Sequence, residues 1–204
     1  MLDLVDRDVQ AAGRHLSLRM PRDLEALFTE EAFAHDEFVP YWAELWPSAL
    51  VLADVLPGEL GDGPLRVLEV GAGLGVPSLC AALAGHDVTA ADWAPDSIDL
   101  LRDNAVRNGA TLRAERWSWT DDPAPLAPPF DVVLAADVLY ERRNVAPLLA
   151  VLPALTAPRG RVLVADPGRL PAPEFLEGAA RSWTVDAVPH AGPSAVTVHR
   201  LTRP

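Results

Sequence analysis

The sequence predicts an α/β fold with a doubly wound, mostly parallel seven-stranded sheet and helices on both faces. Short β-branched runs alternate with segments of helical periodicity along most of the chain, which is typical of parallel strands joined by crossover helices. Two alternating runs near the end, 182–188 and 194–201, are separated by little more than H-A-G-P. Because so short a turn cannot form a crossover, at least one of these strands should be antiparallel.

The first half of the sheet should be built from three helix and strand pairs. The strands are apolar, β-branched runs, whereas the helices have apolar residues at helical spacing, and Gly109 provides a C-terminal stop for the third helix. The predicted elements are a helix over Pro47–Leu56, a strand over 65–70, a helix over 77–84, a strand over 87–91, a helix over 96–108 and a strand over 112–117.

The second half follows the same alternation. A strand over 131–136 comes after the proline pair at 128–129. Apolar residues then recur at helical spacing from Val145 to Leu155, and Pro153 and Pro158 are expected to end this run. R-V-L-V-A at 161–165 predicts the fifth strand. A short helix around Glu174–Ala180 and the two terminal runs complete the sheet.

The length and composition favour one domain spanning residues 1–204. Half of the 204 residues are hydrophobic, which is enough for one full core. We divide the chain into an N-terminal extension or cap, 1–45, and a core, 46–204.

In an open parallel sheet, ligands bind at the carboxyl ends of the strands near the point where the strand order reverses. The residues at predicted strand ends are Glu69, Asp92, Asp137 and either Trp117 or Trp119.

The charge balance excludes some partners. A net charge of −12 disfavours nucleic acid, whose binding usually needs a basic face, and leaves basic proteins or neutral metabolites. No stretch is long and apolar enough to span a membrane. The acidic start does not resemble a signal peptide, and a lone cysteine, Cys80, suits a reducing compartment, so we expect a cytoplasmic protein. The histidines lack metal-ligand spacing, and no metal site is expected. The oligomeric state is not indicated.

A glycine-rich loop follows the first predicted strand. L-R-V-L-E-V-G-A-G-L-G at 65–75 places Gly71, Gly73 and Gly75 at alternate positions after Glu69. Glycines allow a sharp turn and the close approach of a ligand, although such loops also arise for purely steric reasons. A dinucleotide fingerprint needs its third glycine at the position of Val76, so that pattern fails. The loop therefore suggests a nucleoside cofactor of another kind.

Asp92 ends the second predicted strand, where a ribose would lie in such a fold. Its carboxylate can accept two hydrogen bonds from a 2′,3′-diol. Alternatively, Asp92 caps the following helix, a role for which Asp96 is also suited. Trp93 either lines the adenine pocket or is an ordinary half-buried aromatic residue.

The E-x-G-x-G-x-G loop resembles motif I of the class I S-adenosylmethionine-dependent methyltransferases. These enzymes have a Rossmann-like seven-stranded sheet whose last strand is antiparallel. The stretches P-Y-W-A-E-L-W-P-S-A at 40–49 and F-D-V-V-L-A-A-D-V-L-Y-E at 130–141 are similar to the family-16 seven-β-strand protein-lysine methyltransferases. This resemblance covers roughly residues 38–168, whereas 1–37 and the proline-rich tail match nothing recognisable.

The resemblance assigns roles to individual residues. The family's D-x-x-Y motif after the fourth strand is matched by Asp137 and Tyr140, and Ala136 precedes it at the strand end. A cofactor-contacting tryptophan ahead of motif I is matched by Trp46. The family's tryptophan after the third strand corresponds to Trp117 or Trp119, and the following T-D-D-P favours Trp119.

These observations lead to an expected function and two alternatives. The cofactor should be S-adenosyl-L-methionine, and the acceptor a lysine side chain of a protein, with Asp137 orienting the amine and Tyr140 adding a polar contact or an aromatic wall. Asp137 could instead cap the next helix, and Tyr140 could be packing. A small-molecule amine or hydroxyl is the alternative acceptor. A protein that binds the cofactor without catalysis is the third possibility.

Overall fold

The fold is an α/β sheet preceded by a β-hairpin. The computed structural model describes residues 2–24, 27, 40–190 and 195–204. The strands are β1 (Leu4–Ala11), β2 (Arg14–Pro21), β3 (Arg66–Val70), β4 (Asp87–Asp92), β5 (Arg113–Arg116), β6 (Phe130–Ala136), β7 (Thr156–Asp166), β8 (Thr184–Val188) and β9 (Thr197–Thr202). The helices are α1 (Pro47–Leu60), α2 (Val76–Leu83), α3 (Pro95–Arg107), α4 (Val145–Leu155) and α5 (Ala172–Ala179). No helix in these described ranges is both long and apolar enough to cross a membrane.

The main sheet has seven strands in the order β5-β4-β3-β6-β7-β9-β8. Adjacent strands from β5 to β7 are parallel, whereas β9 is antiparallel to both β7 and β8. This arrangement confirms the predicted sheet, including the antiparallel last strand. The strand order reverses beside β3, so the carboxyl ends of β3, β4 and β6 form the crevice in which ligands of such folds bind.

Two elements are longer than predicted. Helix α1 continues past Leu56 to Leu60 with Pro57 inside it. The buried side chain of Leu60 anchors the last turn, although Pro57 removes one backbone hydrogen bond. Strand β7 begins at Thr156, which pairs with Phe130 before the register shifts. Gly160 permits this shift, since a Cβ atom there would lie 2.8 Å from the Asp131 carbonyl oxygen.

The hairpin of β1 and β2 was not predicted. Its turn places Ala12 and Gly13 at positive φ, and Leu16 and Leu18 are fully buried in the same core cluster as residues of α1 and α2. The exposed backbone edge of β2 is bound by side-chain amides of helix α3. Residues 25–26 and 28–39 of the predicted N-terminal extension, and 191–193 of the predicted H-A-G-P turn, lie outside the described residues.

Asn104 of helix α3 and Asn108, the C-cap of that helix, take the place of a third strand beside β2. The Asn104 Oδ1 atom accepts the Arg19 N–H at 2.6 Å, and its Nδ2 donates to the Arg19 carbonyl at 3.1 Å. Asn108 forms the same pair of bonds with Ser17, both at 2.9 Å. These bonds satisfy backbone groups that a strand edge otherwise leaves unpaired.

Glu59 joins helix α1 to the far end of the sheet. Its side chain is only 7% exposed, and both carboxylate oxygens accept hydrogen bonds from Arg200. The Arg161 Nε atom lies 3.7 Å from Oε2. One carboxylate therefore balances two arginines on neighbouring strands.

Replacing Glu59 by glutamine is expected to lower the free energy of unfolding by about 2 kcal/mol, because Arg161 and Arg200 lose their shared counterion. Denaturant unfolding measures this change. Glu115→Gln is the matched control, since Glu115 forms an exposed ion pair with Arg113 and such pairs contribute under about 1 kcal/mol. Equal losses in both variants would contradict a stabilising role for the Glu59 cluster.

Candidate active site

A cavity opens at the carboxyl ends of β3, β4 and β6. The predicted site residues on its lining are Trp46, Gly71, Gly73, Gly75, Asp92, Trp93, Trp119, Ala136, Asp137 and Tyr140. The remaining lining residues are Tyr41, Trp42, Glu44, Leu45, Ala49, Ala72, Leu74, Val76 and Val138. Glu69 and Trp117 are absent from this lining.

The glycine loop forms the floor of the cavity, with its three glycines at positive φ. A Cβ atom on Gly75 would lie 2.2 Å from Cδ2 of Leu101, a fully buried residue of helix α3. A Cβ atom on Gly73 would lie 3.1 Å from the Trp42 carbonyl oxygen. The glycines are therefore required both by the left-handed backbone and by close packing of the loop against neighbouring segments.

Asp92 connects the glycine loop to the turn after β4. Its Oδ2 atom accepts the Gly73 N–H at 2.9 Å, and its Oδ1 atom accepts the Ala94 N–H at 3.0 Å. Burial raises the pKa of Asp92, and these backbone donors oppose the shift. No side chain caps helix α3 at its N-cap, Ala94, so neither Asp92 nor Asp96 has the capping role considered above. The buried carboxylate faces the cavity from the strand end.

Aromatic side chains form the other walls of the cavity. The ring of Trp119 lies against Gly71, with Cζ3 3.2 Å from the position of a Cβ atom there. Trp117 is only 5% exposed, belongs to the hydrophobic core, and donates from Nε1 to the Asp122 carbonyl at 3.0 Å. Of these two tryptophans, only Trp119 lines this cavity, whereas Trp117 lines a neighbouring pocket that shares Trp119 with it.

Asp137 lies at the opposite end of the cavity from Asp92, and its carboxylate is bound on both oxygens. Arg169 donates from Nε to Oδ1 at 2.8 Å, and the Ser48 hydroxyl donates to Oδ2 at 3.3 Å. The residue has φ +56°, and its N–H donates to the Ala165 carbonyl at 2.9 Å. Helix α4 has Asn144 as its N-cap without a side-chain cap bond. Asp137 therefore does not cap that helix.

Tyr140 lines the cavity beside Tyr41, with ring centroids 4.6 Å apart. Burial raises the pKa of Tyr140 to about 12, so its hydroxyl remains protonated at neutral pH. The side chain is half-buried, and its hydrogen bond with the Asn144 side chain opposes this shift of the pKa.

Glu69 acts below the glycine loop rather than on the cavity surface. Its carboxylate accepts hydrogen bonds from the Ser78 N–H at 2.9 Å and from the Ser78 hydroxyl. Ser78 lies in the first turn of helix α2, whose N–H groups have no partner within the helix. Burial raises the pKa of Glu69 to about 8, and the Ser78 bonds oppose this shift.

We expect Glu69 to make stability decline as the pH rises. Its pKa increases on folding from 4.5 to about 8, so between these values the folded state retains a proton that the unfolded state releases. The stabilisation is complete below pH 4.5 and is lost as the pH passes 8, with a slope of at most about 1.4 kcal/mol per pH unit. Unfolding at several pH values should show a weaker decline in Glu69→Gln than in the wild type or Glu115→Gln. Equal slopes would refute this assignment.

The charges around the cavity favour a cation. Its titratable carboxylates are Glu44, Asp92 and Asp137, and no arginine is among the described lining residues. Indole and phenol rings attract cations through their faces. A pyrophosphate would instead require positive charge or free N–H groups. The described residues contain no group of three or more His, Cys, Asp or Glu side chains arranged to bind a metal ion.

Sequence reasoning missed several residues around this site. Tyr41 and Trp42 lie within the P-Y-W-A-E-L-W-P-S-A stretch, and their aromatic character was an available signal. Ser48 and Arg169 bind Asp137 from distant parts of the chain. D-P-G-R at 166–169 predicts a turn, but no local pattern indicates that Arg169 reaches Asp137.

Comparisons with known proteins agree with the geometry. The chain is 34% identical over 128 residues to mouse EEF1A lysine methyltransferase 3, covering 61% of this chain and 55% of that protein. It is 30% identical over 159 residues to histone-arginine methyltransferase METTL23 of Xenopus laevis, covering 72% and 62%. It is 39% identical over 112 residues to bovine protein-lysine methyltransferase METTL21E, covering 49% and 38%. The chain thus spans less than two thirds of the length of each of these relatives.

Among solved structures, the T. thermophilus 16S rRNA N2 G1207 methyltransferase RsmC, in complex with AdoMet and guanosine, matches with a TM-score of 0.72. That match has 17% identity and covers 98% of this chain and 51% of that chain, so it shows the fold alone. The model of one family, described as lysine methyltransferase, matches residues 41–175. This match spans more than half of the chain, which therefore belongs to the lysine methyltransferase family.

Proposed function

We propose that this protein transfers a methyl group from S-adenosyl-L-methionine to the side-chain amine of a lysine in a protein. The main support is the cavity at the strand ends, which has acidic and aromatic walls and extends from Asp92 to Asp137. A sulfonium cofactor carries positive charge, which suits such walls. The names of two relatives, EEF1A lysine methyltransferase 3 and METTL21E, support the acceptor.

The cavity offers specific partners for each part of the cofactor. Asp92 is placed to accept the ribose hydroxyls, because its carboxylate lies on the cavity lining at the end of β4. The rings of Trp93 and Trp119 are suited to an adenine. The glycine loop and Trp46 supply the surface for the remainder. Bound here, S-adenosyl-L-methionine would supply an electrophilic methyl group activated by the sulfonium.

Asp137 is the residue that we assign to the acceptor. Methyl transfer forms a nitrogen–carbon bond as the carbon–sulfur bond breaks, and positive charge moves onto the nitrogen. A carboxylate beside that nitrogen stabilises the developing charge. Asp137 is 6% exposed, so this interaction is only weakly screened by solvent. Tyr140 adds a hydroxyl and an aromatic face to the same end.

An arginine acceptor is the second candidate, since the chain is also similar to METTL23 proteins named as histone-arginine methyltransferases. The geometry favours lysine. A guanidinium binds a carboxylate best as a fork, with both oxygens free, but Arg169 and Ser48 occupy Oδ1 and Oδ2 of Asp137. The lone pairs that remain suit a single-point donor such as an amine.

The acceptor protein should be basic and should share a reducing compartment with this chain. A net charge of −12 attracts basic partners and argues against nucleic acid. The single cysteine, Cys80, is buried and unpaired, which suits the cytoplasm. A small-molecule amine remains the alternative acceptor for the same site.

Incubation with isotopically labelled S-adenosyl-L-methionine and a cell lysate tests the function. The chain contains no lysine, so any methyl-lysine formed belongs to an acceptor protein and not to the enzyme. Label on protein lysine supports the proposal, whereas label on protein arginine supports the second candidate. Label only in small molecules would favour the alternative acceptor. Binding of the cofactor without any transfer would favour a non-catalytic protein.

A further inference from the structure

Asp137 separates the cofactor cavity from a second crevice. This crevice is lined by Trp46, Pro47, Asp137, Pro167, Gly168 and Arg169. Asp137 and Trp46 line both spaces. A group entering from the crevice meets the Asp137 carboxylate and the Arg169 guanidinium together, before it reaches the cavity.

Arg169 is held at Asp137 by contacts on both its backbone and its side chain. Asp166 Oδ1 accepts the N–H groups of Gly168 at 2.7 Å and Arg169 at 2.8 Å, which fixes the turn after β7. The guanidinium carbon lies 5.4 Å from the ring centroid of Trp46. The ion pair with Asp137, at 2.8 Å, raises the pKa of Arg169. The positive charge is therefore fixed in place.

A carboxylate at the acceptor site creates a conflict for an amine substrate. It stabilises the methylated product cation, but it also stabilises the protonated amine, which has no lone pair for attack. The other titratable groups that face this end are also acids: Asp92 and Asp166 from the strand ends, Tyr41 and Glu44 from the segment before α1, and Tyr140 and Glu141 after β6. Arg143 is paired with Glu141. Arg169 is the cation in direct contact with Asp137.

We propose that Arg169 is a positioning residue that neutralises Asp137, so that an acceptor amine can release its proton beside that carboxylate. The proton passes to water, and the nitrogen lone pair then becomes available to the methyl group. Arg169 thus supplies the opposing charge that the Asp137 carboxylate requires. This inference rests on the proposed function, because it presumes a cofactor in the cavity and an amine at Asp137.

Calorimetry with two cofactor analogues tests the inference without an identified acceptor. In one analogue, a carbon atom that bears a primary amine replaces the methyl-bearing sulfonium. The other is S-adenosylhomocysteine, which lacks that amine. In Arg169→Gln the unbalanced carboxylate should bind the ammonium more tightly. At neutral pH, the preference for the amine analogue over S-adenosylhomocysteine should rise by about tenfold or more relative to the wild type.

Arg142→Gln is the matched control, since Arg142 is an exposed arginine paired with Glu174, and its preference should equal that of the wild type. Lost packing of Arg169 on Trp46 would weaken both analogues alike and leave the ratio unchanged. An unchanged ratio in Arg169→Gln would overturn the inference. If neither analogue binds the wild type, the proposed cofactor site is wrong and the inference falls with it.

The pH dependence of turnover provides a second readout once a protein acceptor is labelled. The rising limb of kcat reports deprotonation in the enzyme–substrate complex. It should move to higher pH by about one unit in Arg169→Gln and stay in place in Arg142→Gln. A merely structural role of Arg169 would lower kcat at every pH without moving the limb, and that result would also refute the proposal.

Discussion

Asp137→Asn is expected to reduce methyl transfer by at least about 100-fold. The variant keeps the shape of the side chain but removes the negative charge that we assign to the acceptor nitrogen. Asparagine tolerates the positive φ of +56° at this position, and the backbone bond to the Ala165 carbonyl is retained. The loss should therefore appear in kcat with little change of structure.

Cofactor affinity separates this outcome from a general defect. Asp137 lies at the far end of the cavity from Asp92, so calorimetry with S-adenosylhomocysteine should show a Kd within about tenfold of the wild type. Asp99→Asn, at an exposed position of helix α3, should leave both binding and turnover unchanged. Normal turnover in Asp137→Asn would remove Asp137 from the mechanism.

Asp92→Asn is expected to weaken cofactor binding by about 100-fold, or roughly 3 kcal/mol. Both carboxylate oxygens accept backbone N–H groups, from Gly73 and Ala94. An amide would place its own N–H groups against one of these donors and leave that donor unsatisfied. The substitution thus removes a charged acceptor for the ribose and also disturbs the glycine loop.

Asp96→Asn provides the comparison, because Asp96 lies in the first turn of α3 without a side-chain cap bond. Its Kd for S-adenosylhomocysteine should match that of the wild type. Denaturant unfolding of both variants would show how much of the Asp92 effect comes from stability. Wild-type affinity in a folded Asp92→Asn protein would exclude Asp92 from the cofactor site.

Most of the cavity lining was predictable because strand ends and glycine loops are local features. A buried β-branched run predicts where β3 ends, and the loop after it must therefore begin at Gly71. The same reasoning located Asp92 and Asp137 at the ends of β4 and β6, on one edge of the sheet. The choice of Trp119 over Trp117 came only from the family resemblance, because two residues so close to a strand end differ only in the direction of their side chains.

The pattern of the sequence alone determined the order of helices and strands, the antiparallel strand near the end and the polar residues at the carboxyl edge. These features follow from short-range periodicity and from chain connectivity, both of which can be read directly from the sequence. Only the tertiary structure decided that Arg169 pairs with Asp137, that Glu69 binds Ser78 below the loop, and that a hairpin covers helix α3. Such contacts join segments that are distant along the chain or that meet in a geometry set by packing. The local sequence around each residue therefore does not predict them.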